Sequence, residues 1–190
     1  MTEPYRTVLI WNGILAEGRT QDFTPRQRAV LERALELLVQ GGEKALTTAG
    51  VARAASCSKE SLYKWFGDRD GLLAAMIAHQ ASKVRGFADE GPMDREQFRM
   101  RLVGFGHDLL QVLSGEVSLA LNRLAIGQAG REGNRLGQLL VEEGRRRIDE
   151  RGIGLLEAGR RRGHIAYNGR DEAYRTLYGL IVQDLHVRLL

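Results

Sequence analysis

The sequence contains very little cysteine and proline. Cys57 is the only cysteine among 190 residues, so no disulfide can form within the chain, which is typical of proteins from a reducing compartment. The three prolines are Pro4, Pro25 and Pro92, and none of them lies inside a long periodic segment. Helices can therefore run through most of the chain without the break that an internal proline causes.

The sequence also lacks a long apolar run. No stretch of about 18 apolar residues is present, so we expect no membrane span and no membrane partner. An apolar patch at residues 8–11 is followed by Asn12 and Gly13 and carries neither a basic region nor a small-residue cleavage site. We therefore expect no signal peptide and a cytoplasmic location.

Patterns that would indicate catalysis or a metal are missing. The four histidines, His79, His107, His164 and His186, do not have the spacing of a metal site, and no nucleophile elbow or phosphate-binding glycine loop occurs. We therefore predict that the protein is not an enzyme and has no metal or other cofactor. Cys57 is interpreted as a small apolar residue in a turn, with a redox-sensing thiol as the alternative.

Helical periodicity covers most of the chain, and alternation typical of strands is almost absent. The first helix is predicted to begin after Thr24, because Pro25 suits a first turn and Gln27 can complete a capping box. Gly41 and Gly42 are predicted to end it. The sequence thus predicts an all-α fold.

Two short helices, over residues 48–55 and 59–66, are separated by a turn of about three residues, 56–58. This arrangement is typical of a helix-turn-helix, whose second helix can enter the DNA major groove. Val51 and Leu62 are placed to pack the two helices together, and Ser58 can cap the second one. The predicted function is therefore DNA binding.

Polar residues at the start of the second helix are candidates for reading DNA. Lys59, Glu60 and Ser61 carry hydrogen-bonding groups suited to base edges. Tyr63 and Lys64 lie one turn later, away from the side of Leu62, where a phenol and an ammonium suit phosphate oxygens. Residues 44–69 contain five basic and two acidic side chains, a local balance of +3. Thr47 and Thr48 open the preceding helix and are further phosphate candidates.

The stretch LERALELLVQGGEKALTTAGVARAASCSKESLYKWFGDRDGLLAAM, residues 31–76, resembles the DNA-binding domain of TetR-family transcriptional regulators. The resemblance includes the apolar stripe of the first helix, the small residues before the turn, the pair Tyr63 and Phe66, and a basic residue at Arg69. It implies DNA contacts by Thr48, Ser58, Lys59, Ser61, Tyr63, Lys64 and Arg69. The family usually has glycine and valine in the turn where this chain has Ser56 and Cys57, so we expect a turn that is strained or differently shaped.

The resemblance also implies a helical C-terminal domain that binds a small ligand and forms a homodimer. We divide the chain into an N-terminal arm (1–22), a helix-turn-helix domain (23–70) and a ligand-binding and dimerisation domain (71–190). Gln80 and Gln128 interrupt apolar stripes and are candidates to bind a ligand, although a hydrogen bond within the protein or exposure at the edge of the stripe is the favoured explanation of each. The apolar candidates are Met76, Phe87, Phe105 and Leu124, which favour a largely apolar ligand.

Two C-terminal helices are candidates for the dimer interface. A long helix over residues 134–162 carries glycines that would permit close helix approach, and a final helix follows a turn at Asn168 and Gly169. The candidate interface residues are Ile148, Gly152, Leu155, Tyr174, Tyr178, Ile181 and Leu185. The arginine triplets at 145–147 and 160–162 fan around their helix and are interpreted as solvated or interface side chains.

The sequence of the N-terminal arm predicts either a β-hairpin around Asn12 and Gly13 or a short amphipathic helix. We expect the arm to pack on the protein itself or on a partner subunit. The hypothesis for the whole chain is a repressor that binds a palindromic, double-stranded DNA operator as a homodimer and is released by a small ligand. The alternative is a helical protein that binds small molecules and has lost DNA binding.

Overall fold

The computed structural model describes residues 23–86, 91–130 and 135–189, and every regular element in these ranges is helical. The all-α prediction is confirmed. Within the described ranges the helices are α1 (Pro25–Ala45), α2 (Thr48–Ala54), α3 (Lys59–Phe66), α4 (Arg69–Ala81), α5 (Arg95–Ser114), α6 (Glu116–Gln128), α7 (Leu136–Leu139), α8 (Arg146–Arg161), α9 (Arg170–Val182) and α10 (Leu185–Leu189). A π-helical segment, Leu140–Arg145, joins α7 to α8 and is called the π-turn below.

Local capping chemistry sets where α1 begins. The Thr24 hydroxyl accepts from the backbone N–H of Gln27 at 3.2 Å, and the Gln27 side chain accepts from the backbone N–H of Thr24 at 2.8 Å. Two N–H groups that the first turn leaves unpaired are thereby satisfied, which confirms the predicted capping box. Gly42 has φ +60°, so the helical path breaks at the predicted position although helical structure continues to Ala45.

The first hydrophobic core joins the helix-turn-helix to the helices behind it. Val51 of α2 and Leu62 of α3 are both buried in this core, where α2 packs against α3 as predicted. The same core continues along α4 to Ile77 and also takes in Leu121 and Leu136 from α6 and α7. The predicted boundary after residue 70 therefore falls inside a continuous core, and the three-part division of the chain stays a prediction.

The second core lies between α5, α8 and α9, and glycines in α8 make its close helix crossings possible. A Cβ atom on Gly152 would collide with Tyr174 and lie 2.8 Å from Phe105 Cζ, and one on Gly159 would collide with the ring of Phe98. The cost of glycine in a helix, about 1 kcal/mol relative to alanine, is offset by this aromatic packing. The expected close approach is present, and it occurs within one chain.

Three helix boundaries differ from those expected. α4 ends at Ala81, before Phe87. The Ser82 hydroxyl donates to the His79 carbonyl at 2.6 Å. The Arg151 guanidinium donates to the carbonyl oxygens of Ala81 and Val84 at 2.5 and 2.9 Å. These donors satisfy carbonyl groups that a helix end leaves free. The π-turn interrupts the predicted helix over 134–162.

The third difference lies at the end of α9. Gln183 has φ +43°, so α9 stops at Val182 and Leu185 belongs to the separate helix α10.

Among the described helices, none alone is long and apolar enough to cross a membrane. α5 and α6 reach that length and composition only as a pair, with a bend of 53° between them.

Candidate nucleic-acid interface and ligand cavity

The start of α3 presents a cluster of polar side chains to solvent. The Ser58 hydroxyl accepts from the backbone N–H of Ser61 at 3.1 Å, which caps the helix as predicted, and the two hydroxyl oxygens lie 3.2 Å apart. Lys59 and Glu60 are exposed beside them. The backbone N–H of Glu60, the Ser58 hydroxyl and the nearby Lys59 lower the pKa of Glu60, so it is a charged acceptor at neutral pH. Such an acceptor can receive a hydrogen bond from a base amino group.

One turn later, α3 divides into a buried and an exposed face. Leu62 and Phe66 are buried in the first core, whereas Tyr63 is 57% exposed and Lys64 is exposed. The expectation that Tyr63 and Lys64 lie away from the core side is confirmed. An exposed phenol beside an exposed ammonium provides two donors for phosphate oxygens.

A surface groove of about 570 Å³ runs between the start of α2 and the end of α3. Four of the predicted DNA-contacting residues line it together: Thr47, Thr48, Tyr63 and Arg69. The Thr47 hydroxyl oxygen accepts from the backbone N–H of Gly50 at 3.0 Å, which leaves its own O–H available as a donor. Arg69 Nη2 lies 3.4 Å from Glu43 Oε1. The remaining candidates, Ser58, Lys59, Glu60, Ser61 and Lys64, lie outside the groove on α3.

The turn between α2 and α3 is held in an unusual backbone conformation. Ser56 has φ +48°, the left-handed region that favours glycine, as the departure from the family pattern predicts. Arg26 of α1 donates through Nη2 to the carbonyl oxygens of Ala55 and Ser56 at 2.9 and 2.7 Å. Cys57 is half-buried against the first core, in agreement with its apolar interpretation. The contribution of Arg26 was missed, because nothing in the local sequence links it to a turn 30 residues away.

A cavity of about 250 Å³ lies behind the helix-turn-helix, between α4, α5, α6, the π-turn and the start of α8. Its lining residues are Ile77, Gln80, Ala81, Leu109, Val112, Leu113, Ser118, Leu121, Asn122, Leu140, Val141, Gly144, Arg145, Ile148 and Tyr178. The cavity contains Gln80, one of the predicted ligand residues. Its side chain is buried, and no protein donor within the described ranges reaches Gln80 Oε1.

The other ligand candidates lie elsewhere. Met76 and Leu124 pack in or against the first core, and Phe105 is buried in the second core beside Tyr174. Gln128 is half-buried at the end of α6, outside the cavity lining, and Phe87 falls outside the described residues. The apolar candidates fill the cores because the apolar stripe of a helix does not distinguish a cavity wall from a packed interior.

A polar cluster that was not predicted borders the cavity, and it pairs Arg145 and Tyr178 of the lining with the buried Asp149. The Arg145 guanidinium lies 3.7 Å above the ring of Tyr178, and its Nε donates to Asp149 Oδ1 at 2.6 Å. Burial raises the pKa of Asp149, while the Arg145 charge and hydrogen bond oppose that rise. Burial, with the Asp149 charge, also raises the pKa of Tyr174. The Arg145 side chain is 42% exposed, so it is partly solvated as predicted, and its pairing with the buried Asp149 is the feature that was not predicted.

Six of the seven predicted dimer residues lie on the inward faces of α8 and α9, and Leu185 lies on α10. Ile148, Gly152, Leu155 and Tyr174 are buried in the second core, and Tyr178, Ile181 and Leu185 are half-buried against it. In this conformation those residues contact their own chain, because the two helices pack on α5 with these faces. The outward faces carry other residues, including Gly154, Gly179 and the 69% exposed Leu180. The dimer interface itself stays a prediction.

The polar face of α3 and the capped helix pair that supports it define a DNA-binding transcriptional regulator of the helix-turn-helix class. Within the described ranges, no group of three or more His, Cys, Asp or Glu residues is placed to hold a metal ion.

Residues 30–76 match the family model of bacterial regulatory proteins of the tetR family, and residues 100–190 match the C-terminal domain of AefR-like transcriptional repressors.

Solved structures agree with these matches. The crystal structure of a TetR transcriptional regulator from Agrobacterium tumefaciens is 65% identical, with a TM-score of 0.75, over 88% of this chain and 84% of that one. The chain therefore belongs to the TetR family of transcriptional regulators. A structure from Mesorhizobium loti that carries the same family name has 22% identity and a TM-score of 0.64 over 86% of this chain and 82% of that one, and it supports the fold alone.

A curated relative from Bacillus subtilis, the uncharacterized HTH-type transcriptional regulator YvkB, is 31% identical over 58 residues. The match covers 30% of this chain and spans only 31% of the length of that relative.

Proposed function

We propose that the protein is a cytoplasmic repressor that binds a palindromic operator as a homodimer and leaves it when a small ligand enters the cavity. The observation that carries this proposal is the position of α4, which lines the groove at one end and the cavity at the other. Arg69, Leu72 and Leu73 border the groove, while Ile77, Gln80 and Ala81 border the cavity. One rigid helix, about 20 Å long, therefore connects the two places.

The proposed DNA contacts use the exposed face of α3 and the groove. Lys59, Glu60 and Ser61 would meet base edges, and Tyr63 and Lys64 would meet phosphates beside Thr47, Thr48 and Arg69 in the groove. Ser58 would hold the start of α3 in position through its cap. The exposed Tyr63 supports this assignment, because its phenol lies in solvent beside the exposed Lys64, and both groups are donors suited to phosphate oxygens.

The proposed dimer uses the outward faces of α8 and α9, the same helices as the sequence prediction but other residues. Leu180 is 69% exposed, and a Cβ atom on Gly154 or Gly179 would meet no atom within 4 Å. Glycines on an exposed helix face reduce helix stability, and close approach of a second copy would offset that cost. For operator binding, the dimer must place its two copies of α3 about 34 Å apart, because successive major grooves on one DNA face require that spacing.

Ligand release would follow from the shared helix. A ligand that prefers the cavity of a conformation with α4 tilted would change the separation of the two α3 helices. A preference of about 1–3 kcal/mol is enough to lower operator affinity by roughly 5- to 150-fold. The family model of AefR-like transcriptional repressors over residues 100–190 supports repression as the mode of control.

The experiment is a fluorescence titration of the protein with the duplex upstream of its own gene and with a scrambled duplex of equal length. We expect at least about a thousandfold preference for the upstream duplex at physiological salt, which is the low end for specific DNA-binding proteins. Equal affinity for both duplexes at several salt concentrations would contradict the proposal. It would favour a helical protein that binds small molecules and has lost DNA recognition.

A further inference from the structure

We infer that the effector is an uncharged molecule, about the size of one substituted ring, that donates a hydrogen bond to Gln80 Oε1. The inference rests on the proposed ligand-release function and specifies the chemistry of the molecule that the cavity accepts. Three features carry it: an unsatisfied acceptor on α4, apolar walls of limited volume, and a cation whose charge is already neutralised.

Gln80 provides the acceptor. Its side chain is 7% exposed, and among the described residues no donor lies within hydrogen-bond reach of Oε1. Native proteins leave few buried polar atoms in this condition, so each one calls for an explanation. The nearest comparable amide, Asn122, uses its own N–H to donate to the Ser118 carbonyl at 2.8 Å. A hydroxyl or amide N–H on a bound molecule would satisfy Gln80 from inside the cavity.

The apolar walls limit the size of the molecule. Ile77, Leu109, Val112, Leu121 and Ile148 are among the apolar side chains that line the cavity. The cavity measures about 250 Å³. For comparison, an apolar cavity of about 150 Å³ engineered into another protein accepts benzene. A single ring with a short alkyl substituent therefore fits the cavity.

The charge of the cavity favours a neutral molecule. Arg145 is its only cationic lining residue within the described part of the chain. Its guanidinium is paired with Asp149 at 2.6 Å and covers the ring of Tyr178. A carboxylate ligand would meet a guanidinium whose charge Asp149 already offsets, and it would lose its hydration on entering the cavity. A neutral molecule avoids that loss.

The test compares four probes of nearly equal shape by isothermal titration calorimetry with the full chain. The probes are 4-propylphenol (a donor), 4-propylanisole (an acceptor only), propylbenzene (neither) and 4-propylbenzoate (an anion). We expect 4-propylphenol to bind about tenfold more tightly than each of the others, because it alone combines a neutral body with a donor for Gln80. Equal affinities, preference for the anisole or the benzoate, or no binding of any probe would overturn the inference.

A variant identifies the acceptor. Gln80→Leu should reduce the preference for the phenol over the anisole to about twofold or less, because the unsatisfied oxygen is gone. Gln111→Leu on α5, an exposed position outside the cavity, should keep the tenfold preference and serves as the matched control. A retained preference in Gln80→Leu, with an unchanged thermal melting profile, would also overturn the inference. The comparison of probes on the unmodified chain remains decisive if the variant does not fold.

Operator binding without any probe is measured on the same samples, which separates the two proposals. Loss of phenol selectivity with intact operator binding would refute the effector chemistry alone. Phenol selectivity without operator binding would refute the repressor function and leave the cavity chemistry standing.

Discussion

Arg85 and Asp108 are joined by three hydrogen bonds. The backbone N–H of Arg85 donates to Asp108 Oδ2 at 3.2 Å, its Nε donates to the same oxygen at 2.7 Å, and its Nη2 donates to Oδ1 at 2.9 Å. Asp108 is buried on α5, and Arg85 follows the end of α4, which Arg151 of α8 also contacts through two carbonyl groups. The cavity end of α4 is therefore attached to both α5 and α8.

This ion pair predicts a loss of stability in acid. The hydrogen bonds from Arg85 hold the pKa of Asp108 below its usual value of about 4, although burial opposes the shift. A carboxyl whose pKa is lower in the folded state stabilises the fold above its unfolded pKa, and that stabilisation is lost as the pH falls through the folded value. Asp108→Asn should therefore lower the melting temperature at pH 7 and reduce its change between pH 5 and pH 3.

The measurement is thermal unfolding followed by circular dichroism across that pH range. Glu96→Gln is the control, because Glu96 also pairs with an arginine, Arg99, but both side chains are exposed on the surface of α5. If Asp108→Asn retained the full acid sensitivity of the unmodified chain, the Arg85–Asp108 pair would not be its source.

Lys64 should contribute to DNA affinity through phosphate contact alone. A lysine that neutralises one phosphate contributes about 0.9 to the slope of log affinity against log salt, so Lys64→Ala in a dimer should reduce that slope by about 2. Affinity for operator and non-operator duplexes should fall together, because phosphate contacts carry no base information. Tyr63→Phe should weaken binding by about 1 kcal/mol per subunit, since it removes one hydroxyl donor.

Fluorescence anisotropy titrations at four salt concentrations measure both effects. Lys83→Ala is the matched control, because Lys83 is an exposed lysine that follows the cavity end of α4, away from α3 and the groove. A slope that Lys64→Ala leaves unchanged, or lowers no more than Lys83→Ala does, would remove Lys64 from the DNA surface.

Ser56 should be replaceable by glycine with a gain in stability. Its φ of +48° is unfavourable for a residue with a Cβ atom, and glycine adopts it freely. The greater flexibility of glycine in the unfolded chain offsets part of the gain, so we expect Ser56→Gly to stabilise the fold by about 0.5–1 kcal/mol. Ala54→Gly, two residues earlier in α2, should instead destabilise it by about 1 kcal/mol.

Urea denaturation measures both variants on the same scale. Destabilisation by Ser56→Gly would mean that the serine side chain supports the turn in a way that its backbone geometry does not explain.

Local chemistry made several elements predictable. The bounds of α3 follow from the Ser58 cap and the glycine at 67, and the start of α1 follows from Thr24, Pro25 and Gln27, because these interactions lie within four residues of one another. The exposed position of Tyr63 follows equally from the spacing of Leu62 and Phe66.

The cavity could not be predicted in the same way. Gln80 and Arg145 are 65 positions apart and border the same cavity only because α4 packs against the π-turn. The neighbour of the α8 glycines was equally hard to predict from the sequence. A glycine that permits close helix approach has the same spacing whether the neighbour is Tyr174 of its own chain or a second subunit. The packing of α8 on α5 decides which face of α8 lies inward. The spacing of residues within α8 does not contain that information.

Two glycines of α8 should respond oppositely to alanine. A Cβ atom on Gly152 would collide with Tyr174 and crowd Phe105, whereas one on Gly154 would meet open space. Overpacking costs about 1–3 kcal/mol and exceeds the gain of about 1 kcal/mol in helix propensity, so Gly152→Ala should destabilise the fold. Gly154→Ala should stabilise an isolated subunit by up to about 1 kcal/mol and weaken the proposed dimer, whose close approach uses the bare backbone.

Guanidinium denaturation at a single protein concentration measures the pair, and each variant serves as the other's control. Similar effects of the two substitutions would mean that α8 is oriented differently from the structure described above.

Leu180 should be essential for the proposed dimer. It is 69% exposed on the outward face of α9, next to Gly179, where a Cβ atom would meet no neighbour. In a two-fold interface each substitution occurs twice, so Leu180→Arg introduces two charges into an apolar contact. We expect dimerisation to weaken by about 2 kcal/mol or more, which is roughly a thirtyfold rise in the dissociation constant.

Sedimentation velocity over a range of protein concentrations provides the measurement, with Ile126→Arg as the control. Ile126 is 62% exposed on α6, so the same change in charge and hydrophobicity is made away from α8 and α9. The Leu180→Arg protein should lose operator affinity together with dimerisation, because a single copy of α3 contacts only one half-site. Lys64→Ala should instead lower operator affinity without changing the sedimentation coefficient. A Leu180→Arg protein that sediments as the unmodified chain does would place the subunit contact on another surface and leave the exposed glycines of α8 and α9 without the role argued for them.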